Sequence, residues 1–229
     1  MKHRGPLVDQ EQNRLAELQC FNVLDTPAEP GFDAITRLAS QIYDVPIALV
    51  SLIDESRQWF KSRVGLDAAE TPRDISFCTH AIQYTGPFIV GNAVEHDLFR
   101  NNPLVTGEPF IRFYAGAPLL VSNGLNLGTL CIIDRQPRVD FSEADAECLV
   151  DLAKLVVGQL ELRRANAGLA EAETRLHQVK EATAQFLSNA SHEIRTPLAA
   201  MSSLMEIAVA DAENPVQRDK LRQIQSINQ

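Results

Sequence analysis

The scarcity of helix breakers over a long C-terminal stretch is the strongest constraint on how this chain folds. Between Ser142 and Ala210 the sequence contains one proline, Pro197, and two glycines. These residues are the least favourable in a helix interior, so their scarcity predicts a helix far longer than the roughly 12 residues usual in globular proteins. Ser142 has the side chain of an N-cap, and Glu143 and Asp145 follow in the first turn.

A seven-residue repeat of apolar positions runs along this predicted helix. Leucine recurs at Leu162, Leu169 and Leu176, and the register continues to Thr183 and Ala190. The second apolar position of each repeat holds a mixed set: Ala165, Ala172, Val179 and Phe186. The repeat predicts a left-handed coiled coil, weakened by its alanines and threonine. The alternative is a long helix on the surface of its own protein, but a heptad sustained over about four repeats is uncommon there.

A second, shorter helix is predicted after the sequence "DAENP". Asn214 has the side chain of an N-cap, and Pro215 suits the first helical position. Leu221, Ile224 and Ile227 would share one side of this helix. The C-terminal part is therefore predicted to be a helical hairpin, truncated early in its second arm.

The part of the chain before about Arg138 has a different character, because turn clusters separate short β-rich runs. Those runs are "PIALVSLI", "QWFKSRV", "PFIV", "FYAGAPLLV" and "LGTLCIID". Asn-Gly in "VSNGLN" predicts a hairpin, and "LIDESRQWF" reads as another. Helical patterns in "NRLAELQCFNVL" and "GFDAITRLASQIYDV" precede the strands, the second with an apolar set of Phe32, Ile35, Leu38, Ala39 and Ile42. This is an α+β plan, an antiparallel sheet covered by helices.

Composition and charge exclude several classes of function. The formal net charge is −9, and residues 1–159 hold 13 basic and 21 acidic residues, which argues against a nucleic-acid partner there. No apolar run is long enough to span a membrane, and the first 12 residues lack the apolar core of a signal peptide, so we expect a cytoplasmic protein. The four cysteines have no paired spacing and predict reduced thiols, with no disulfide framework and no metal site.

The sequence "FLSNASHEIRTPLAAM" carries the residues with the clearest chemistry. His192 lies two residues past the seam of the predicted coiled coil, where another protein can reach it, and a neutral imidazole is a nucleophile near neutral pH. Glu193 is adjacent and could act as a base or orienting group. Thr196, four residues on, shares a helix face with His192. Pro197 lacks an N–H and cannot bond the carbonyl of Glu193, so the helix is expected to loosen there as a hinge.

The string "SHEIRTPL" closely resembles the phosphoacceptor box of sensor histidine kinases. The longer segment is similar to the dimerisation and histidine-phosphotransfer domain of that family along its length. The resemblance implies a homodimer with a four-helix bundle, His192 as the phosphorylated residue, Glu193 assisting phosphoryl transfer, and Thr196 serving the reverse phosphatase reaction. It also implies ATP with Mg²⁺ as the phosphoryl source and a response-regulator receiver domain as the acceptor partner.

The sequence departs from that family after the second helix. The ATP-binding domain should follow there, and its asparagine and glycine-rich boxes are not found before Gln229. The glycines of "SNGLNLG" belong to the predicted hairpin and are not accompanied by a Walker lysine. The chain by itself is therefore not expected to hydrolyse ATP or to phosphorylate itself.

The front part resembles a GAF domain from about Asn13 to Leu160, through "RDISFCTHAI", "NPLVTGEPFIRFYAGAPL" and "LGTLCIID". That resemblance implies a sheet with helices on both sides and a small-molecule pocket whose ligand is not specified. The candidate ligand residues are Trp59, Cys78, His80, Arg112 and Tyr114. Trp59 is predicted to lie in a strand, and Cys78 and His80 in a connecting stretch. Arg112 and Tyr114 lead into a strand. Packing is the ordinary alternative for each. Bilin-binding relatives carry adjacent Cys and His, whereas Thr79 intervenes here.

Together these patterns predict three segments: a GAF sensor domain at 1–158, a coiled-coil signalling helix at 159–184, and a phosphoacceptor domain at 185–229. The leading interpretation is the input and phosphoacceptor part of a sensor histidine kinase. One alternative is a GAF-based dimeric scaffold without phosphotransfer. Another is a small-molecule reductase using Cys78, for which no second thiol is near in sequence, although folding could bring Cys131 close.

Overall fold

The computed structural model describes residues 7–211 and 214–227 and contains one antiparallel sheet with flanking helices. The helices are α1 (Leu7–Cys20), α2 (Pro30–Tyr43), α3 (Phe77–Ala81), α4 (Pro103–Thr106), α5 (Glu143–Asp211) and α6 (Pro215–Ile227). The strands are β1 (Ile47–Ile53), β2 (Arg57–Val64), β3 (Glu70–Pro72), β4 (Phe88–Val90), β5 (Phe113–Leu120) and β6 (Asn126–Asp134). The α+β plan predicted from the sequence is confirmed.

The sheet has the order β3-β2-β1-β6-β5-β4, and every neighbouring pair is antiparallel. Both predicted hairpins are present, β1 with β2 and β5 with β6. In the second hairpin, Gly124 has φ +81°, the left-handed conformation that the Asn-Gly pair provides. The central strands β1 and β6 are buried along their whole length. Burial on both faces explains why they read as continuous apolar runs.

Two hydrophobic cores lie on opposite faces of the sheet. The first core contains inward residues of α1, α2 and the start of α5, including Leu18, Phe32, Leu149 and Val156. The second core contains residues of α3 and the segments around β4 and α4, including Phe77, Phe99 and Val105. Successive strand residues alternate between the two cores, so Trp59 belongs to the first and Phe60 to the second.

The helices of the first face differ in detail from the sequence prediction. The first helix ends at Cys20 and does not continue through Leu24, because Asn22 takes φ +46° in a turn. On α2, the residues Phe32, Ile35 and Ala39 are buried as predicted, whereas Leu38 and Ile42 are exposed. The Tyr43 hydroxyl at the end of α2 donates to the carbonyl oxygen of Asp145 at 2.7 Å, which joins α2 to the first turn of α5.

The long helix predicted from the lack of breakers is present as α5. Its N-terminus is a capping box, because Asp145 N–H donates to Ser142 Oγ at 3.1 Å and Ser142 N–H donates to Asp145 Oδ2 at 3.0 Å. The helix is continuous through Pro197, so this proline does not end it. The second predicted cap is also present, since Val216 N–H donates to Asn214 Oδ1 at 2.9 Å ahead of α6.

The chain divides into two compact units, residues 1–167 and residues 168–229, and the boundary lies within α5. In the first unit α5 contributes buried residues to the first core up to Leu160. In the second unit the apolar side chains of α5 are exposed, among them Leu169, Leu176 and Phe186. No helix within the described ranges 7–211 and 214–227 has the length and apolar character needed to cross a membrane.

Gly128 is required where β6 crosses the centre of the sheet. A Cβ atom at this position would overlap the carbonyl oxygen of Ser51 on the neighbouring strand and come within 2.9 Å of Leu52 Cα. Both contacts are with backbone, which cannot turn aside. We expect Gly128→Ala to lower the free energy of unfolding by roughly 3 kcal/mol, measured by urea denaturation.

The matched control is Gly86→Ala, because a Cβ atom there meets nothing within 4 Å. Gly86→Ala should change the free energy of unfolding by less than about 0.5 kcal/mol. Equal effects of the two substitutions would show that the close approach at Gly128 does not constrain the fold.

Candidate functional site

The His192 side chain is exposed on α5, next to the exposed Glu193. The Thr196 hydroxyl donates to the main-chain carbonyl oxygen of His192 at 3.1 Å. This bond holds Thr196 on the same helix face as His192, where a residue four positions on is expected. The three side chains thus form an accessible polar group on one turn of helix.

Pro197 follows this group directly and lies inside the helix. Because proline has no N–H, the carbonyl oxygen of Glu193 lacks the donor that would normally sit four residues on. The helical conformation persists on both sides of the proline. The turn that carries His192 therefore lacks one backbone hydrogen bond of a regular helix, which is the physical basis for the predicted hinge.

Exposed apolar side chains lie before and after the turn that carries His192 along the helix. The predicted seam leucines Leu162, Leu169 and Leu176 are 54%, 60% and 56% exposed. Further apolar side chains are exposed beyond them: Ile194, Leu198, Met201, Leu204 and Ile207. An apolar stripe of this length is the surface that a partner helix would cover. The coiled coil itself stays a prediction.

The five candidate ligand residues of the front domain do not converge on one point. Cys78 and Tyr114 meet in the second core, where the Tyr114 hydroxyl donates to Cys78 Sγ at 3.3 Å. Trp59 is buried in the first core, on the opposite face of the sheet. The guanidinium group of Arg112 donates to the carbonyl oxygens of Val105 and Ile111 at 2.8 and 3.0 Å, which fixes a loop.

His80 and Cys78 lie on α3, so the predicted connecting stretch contains a short helix. The His80 ring packs edge-on against Phe99, with the ring centroids 5.2 Å apart. Partial burial and the neighbouring His96 together lower the pKa of His80. Phe99 also stacks on Phe77 at 3.9 Å between centroids, and Phe77 contacts Tyr114. Aromatic side chains thus pack against His80 and Tyr114, two of the candidate ligand residues.

Cys131, which the sequence left distant from Cys78, is brought to it by the fold. The two sulfur atoms are 3.8 Å apart, and both side chains are buried. Gly116 makes room for the arrangement, because a Cβ atom there would overlap the Tyr114 hydroxyl. The buried group of Cys78, Cys131 and Tyr114 is called the thiol cluster below.

A group of charges that the sequence did not predict lies where α5 leaves the first core. Lys61 Nζ, on a side chain that is 0% exposed, contacts Glu29 Oε1 at 2.6 Å. Arg163 Nε on α5 donates to the same oxygen at 2.9 Å, and Arg163 Nη1 donates to the carbonyl oxygen of Phe21 at 3.0 Å. We call Glu29, Lys61 and Arg163 the junction cluster. A lysine at an inward position of the apolar strand "QWFKSRV" is the one signal of it in the sequence.

The junction cluster holds a charged carboxylate between two cations. Burial opposes ionisation of Glu29, but the hydrogen bonds from Lys61 and Arg163 outweigh that effect, so the pKa of Glu29 lies below its usual value. Lys61 has two further acceptors, Thr26 Oγ1 and the carbonyl oxygen of Pro27, each at 2.8 Å. The cluster therefore fixes the sheet to α5 through residues distant in sequence.

The structure combines a sheet with helices on both faces and a long helix that carries an exposed His-Glu pair. The family models agree with this geometry. The GAF domain model matches residues 28–160, and the His Kinase A phospho-acceptor model matches residues 182–229. The chain belongs to the GAF family, and its GAF domain is followed by a phospho-acceptor domain in the arrangement of a sensor histidine kinase.

A cyclic di-GMP phosphodiesterase of Pseudomonas aeruginosa is 44% identical to this chain over 159 residues, which is 69% of this chain and 27% of that protein. This chain thus spans about a quarter of that relative's length. The GAF domain of an Acinetobacter phosphoenolpyruvate-protein phosphotransferase aligns with TM-score 0.51 at 20% identity, over 69% of this chain and 97% of that one.

The free methionine-R-sulfoxide reductase of Neisseria meningitidis, solved with its substrate, aligns with TM-score 0.50 at 19% identity, over 72% of this chain and 98% of that one. Both structural similarities establish the fold of the front domain. At these identities they do not carry a ligand or a reaction to this chain.

The junction cluster makes stability depend on pH in a defined direction. The folded pKa of Glu29 is depressed from 4.5, so its contribution is complete above about pH 4.5 and is lost as the pH falls through the folded pKa. Glu29→Gln should lower the free energy of unfolding by about 1 kcal/mol at pH 7, a figure reduced for the exposure of Glu29, and by much less near pH 3. Urea denaturation at both pH values measures the difference.

The control is Asp151→Asn, which removes an ion pair with Lys154 in which both side chains are more than 70% exposed. That substitution should change the free energy of unfolding by less than about 0.5 kcal/mol at either pH. A loss for Glu29→Gln that is the same at pH 7 and pH 3 would contradict a charged role for Glu29.

Proposed function

We propose that this chain is the input and phosphoacceptor portion of a two-component sensor histidine kinase, with His192 as the residue that is phosphorylated. The observation that carries the proposal is the exposed turn of α5 with His192, Glu193 and Thr196, inside the segment 182–229 that matches the phospho-acceptor family. Exposure matters because the phosphoryl donor must reach the imidazole in line.

In this proposal one imidazole nitrogen of His192 attacks the γ-phosphorus of ATP, and the bond to the ADP oxygen breaks. Glu193 holds or removes the proton of the other ring nitrogen, which keeps the attacking nitrogen nucleophilic. ATP with Mg²⁺ is bound by a separate ATP-binding domain. The phosphoryl group then passes to an aspartate of a response-regulator receiver domain, while Thr196 positions a water for the reverse, hydrolytic reaction.

Two copies of the chain would pair through the exposed apolar stripe of α5 and form a helical bundle around the phosphoacceptor turn. The seam holds Ala165 and Ala172 between its leucines, and small seam residues bind two helices weakly. A weakly held helix pair can shift in rotation or register. The hydrogen bond that Pro197 cannot donate to Glu193 makes the turn of His192 the place where α5 would bend most easily. The shift would change access to His192.

The input would arise in the GAF domain and reach α5 through the junction cluster. Arg163 is anchored to Glu29, which is itself held by Lys61 on the sheet, so movement of the sheet is transmitted to the helix. A small-molecule ligand on the second face would have to displace the stacked rings of Phe77 and Phe99. Such a displacement would move α3 and the strands beneath it.

The first test is phosphorylation of the full-length protein with γ-labelled ATP and Mg²⁺. We expect acid-labile, base-stable label in the wild-type protein and its loss in His192→Ala. The control is His177→Ala, because His177 is an exposed histidine on the same helix, paired with Glu181 at 3.2 Å. Label that survives in His192→Ala would assign the phosphoryl group to another residue and overturn the proposal. No label from a protein with demonstrated ATP binding would favour the scaffold interpretation.

The same assay separates the two neighbours of His192. Glu193→Gln should slow the appearance of label by at least about a hundredfold, the low end of the range for a general base. Thr196→Ala should leave labelling intact and slow the loss of label from washed protein. Thr174→Ala is its control, because that hydroxyl lies outside the seam and makes the same bond to a carbonyl four residues earlier, at 2.9 Å to Ala170.

A second prediction concerns the weak seam. Replacing Ala165 and Ala172 with leucine should strengthen the helix pair and fix the autophosphorylation rate of the full-length protein at one value, whatever the input. The control pair is Ala167→Leu with Ala170→Leu, exposed positions outside the seam. If both double variants keep the wild-type range of autophosphorylation rates, the two-state coiled coil is wrong.

A further inference from the structure

The thiol cluster is a pair of cysteines that the phosphotransfer proposal does not use. Cys78 on α3 and Cys131 on β6 are 53 positions apart in sequence, yet their sulfur atoms lie 3.8 Å apart. Their side chains are 1% and 0% exposed. A disulfide has a sulfur–sulfur distance of about 2.0 Å, so closure needs a movement of less than about 2 Å.

Polar groups converge on the pair in an otherwise apolar core. The Tyr114 hydroxyl donates to Cys78 Sγ at 3.3 Å, and Ser51 Oγ lies 3.8 Å from Cys131 Sγ. Gln58 Nε2 donates to Ser51 Oγ at 3.2 Å, and the other amide atom of Gln58 accepts from Ser76, the N-cap residue of α3. The two sulfur atoms are therefore held by a connected set of hydrogen bonds that includes the helix bearing Cys78.

We propose that Cys78 and Cys131 form a buried redox site, which a hydroperoxide oxidises to an intramolecular disulfide. The Cys78 thiolate attacks the peroxide and the O–O bond breaks, which gives a sulfenic acid on Cys78 and releases water or an alcohol. Cys131 then attacks the sulfur of Cys78, the S–S bond forms, and the sulfenic oxygen leaves as water. Two thiols are oxidised by two electrons and one peroxide is reduced.

The surroundings favour Cys78 as the attacking residue. Burial opposes ionisation of Cys78, but its hydrogen-bond partners, Cys131 and Tyr114 among others, outweigh that effect and lower the pKa of Cys78. The pKa of Cys131 is raised by its hydrogen bond to Cys78 and by its burial. Of the two thiols, Cys78, which accepts a hydrogen bond from the Tyr114 hydroxyl, is therefore the one whose surroundings favour the thiolate. A second thiolate beside it is disfavoured by the like charge.

Access to the site depends on α3, which is five residues long and carries Cys78. Buried thiols react slowly unless the structure opens, and a short helix outside the sheet opens at lower cost than a central strand. Oxidation would then link α3 covalently to the centre of β6. The Cys78 sulfur that accepts from the Tyr114 hydroxyl would change from a thiol to a disulfide sulfur. This inference does not depend on phosphorylation of His192.

The test uses the protein with Cys20→Ser and Cys148→Ala, which leaves only the two thiols of the site. Folded protein is treated with hydrogen peroxide, quenched, unfolded in N-ethylmaleimide and weighed by mass spectrometry. We expect Cys78 and Cys131 to lose their reactivity with N-ethylmaleimide together. The oxidised protein should have a mass about 2 Da below that of the reduced, unalkylated protein. Treatment with a thiol reductant should restore alkylation of both residues. Proteolysis should yield one linked pair of peptides, containing Cys78 and Cys131.

Wild-type protein is the second arm, because its exposed Cys20 reports that the peroxide is active. Tyr114→Phe should slow formation of the disulfide several-fold without abolishing it, and Cys78→Ala should leave Cys131 fully alkylated after the same treatment. Oxidation confined to Cys20, or a Cys78–Cys131 disulfide that forms in urea but not in the folded protein, would overturn the proposal.

Discussion

Burial of the central strands on both faces is the constraint on which the rest of this structure depends. β1 and β6 have no solvent-exposed side, so every residue on them must suit one of two cores. Helices are needed on both faces to cover them, and α5 supplies part of that cover with residues up to Leu160. The helix that carries His192 therefore begins as a structural element of the GAF domain.

Two clusters of buried polar groups lie on opposite faces of this sheet. On the first face, Lys61 is fully covered and needs Glu29, which also holds Arg163 of α5. On the second face, Tyr114 reaches Cys78 across the space left by Gly116. A buried charge or hydroxyl without a hydrogen-bond partner costs more folding free energy than an unpaired group at the surface. Each cluster therefore favours one specific arrangement of segments that are distant in sequence.

The elements predicted with most success were those specified by local chemistry. Asn123-Gly124 encodes the β5–β6 turn, and Ser142 and Asn214 encode helix starts, because each acts on backbone groups within a few residues. The short helices α3 and α4 were missed, since four or five residues show no periodicity. Leu38 and Ile42 fitted the apolar stripe of α2 yet are exposed, because the width of the covered stripe is set by neighbouring elements.

The same distinction applies to the candidate sites. His192, Glu193 and Thr196 lie within five residues of one helix, so their relation follows from helical geometry alone. The proposed GAF residues come from separate segments, and only the fold decides that Cys78 meets Tyr114 and Cys131 while Trp59 faces the other core. Alternation along β2 places Trp59 and Phe60 on opposite faces, but which face holds Tyr114 depends on strand register.

The exposure of α5 beyond its buried first part bears on how residues 168–211 are stabilised. A helix in water gains little from its own hydrogen bonds and depends on burial of an apolar face. Within residues 168–211 that face, with Leu169, Leu176 and Phe186, is uncovered in the single chain. A second copy would offer the same apolar stripe at the same spacing, so each helix can supply the other's missing core. Stability of residues 168–211 and pairing of two chains then become one equilibrium, and whatever strengthens or weakens the pairing also changes the surroundings of His192.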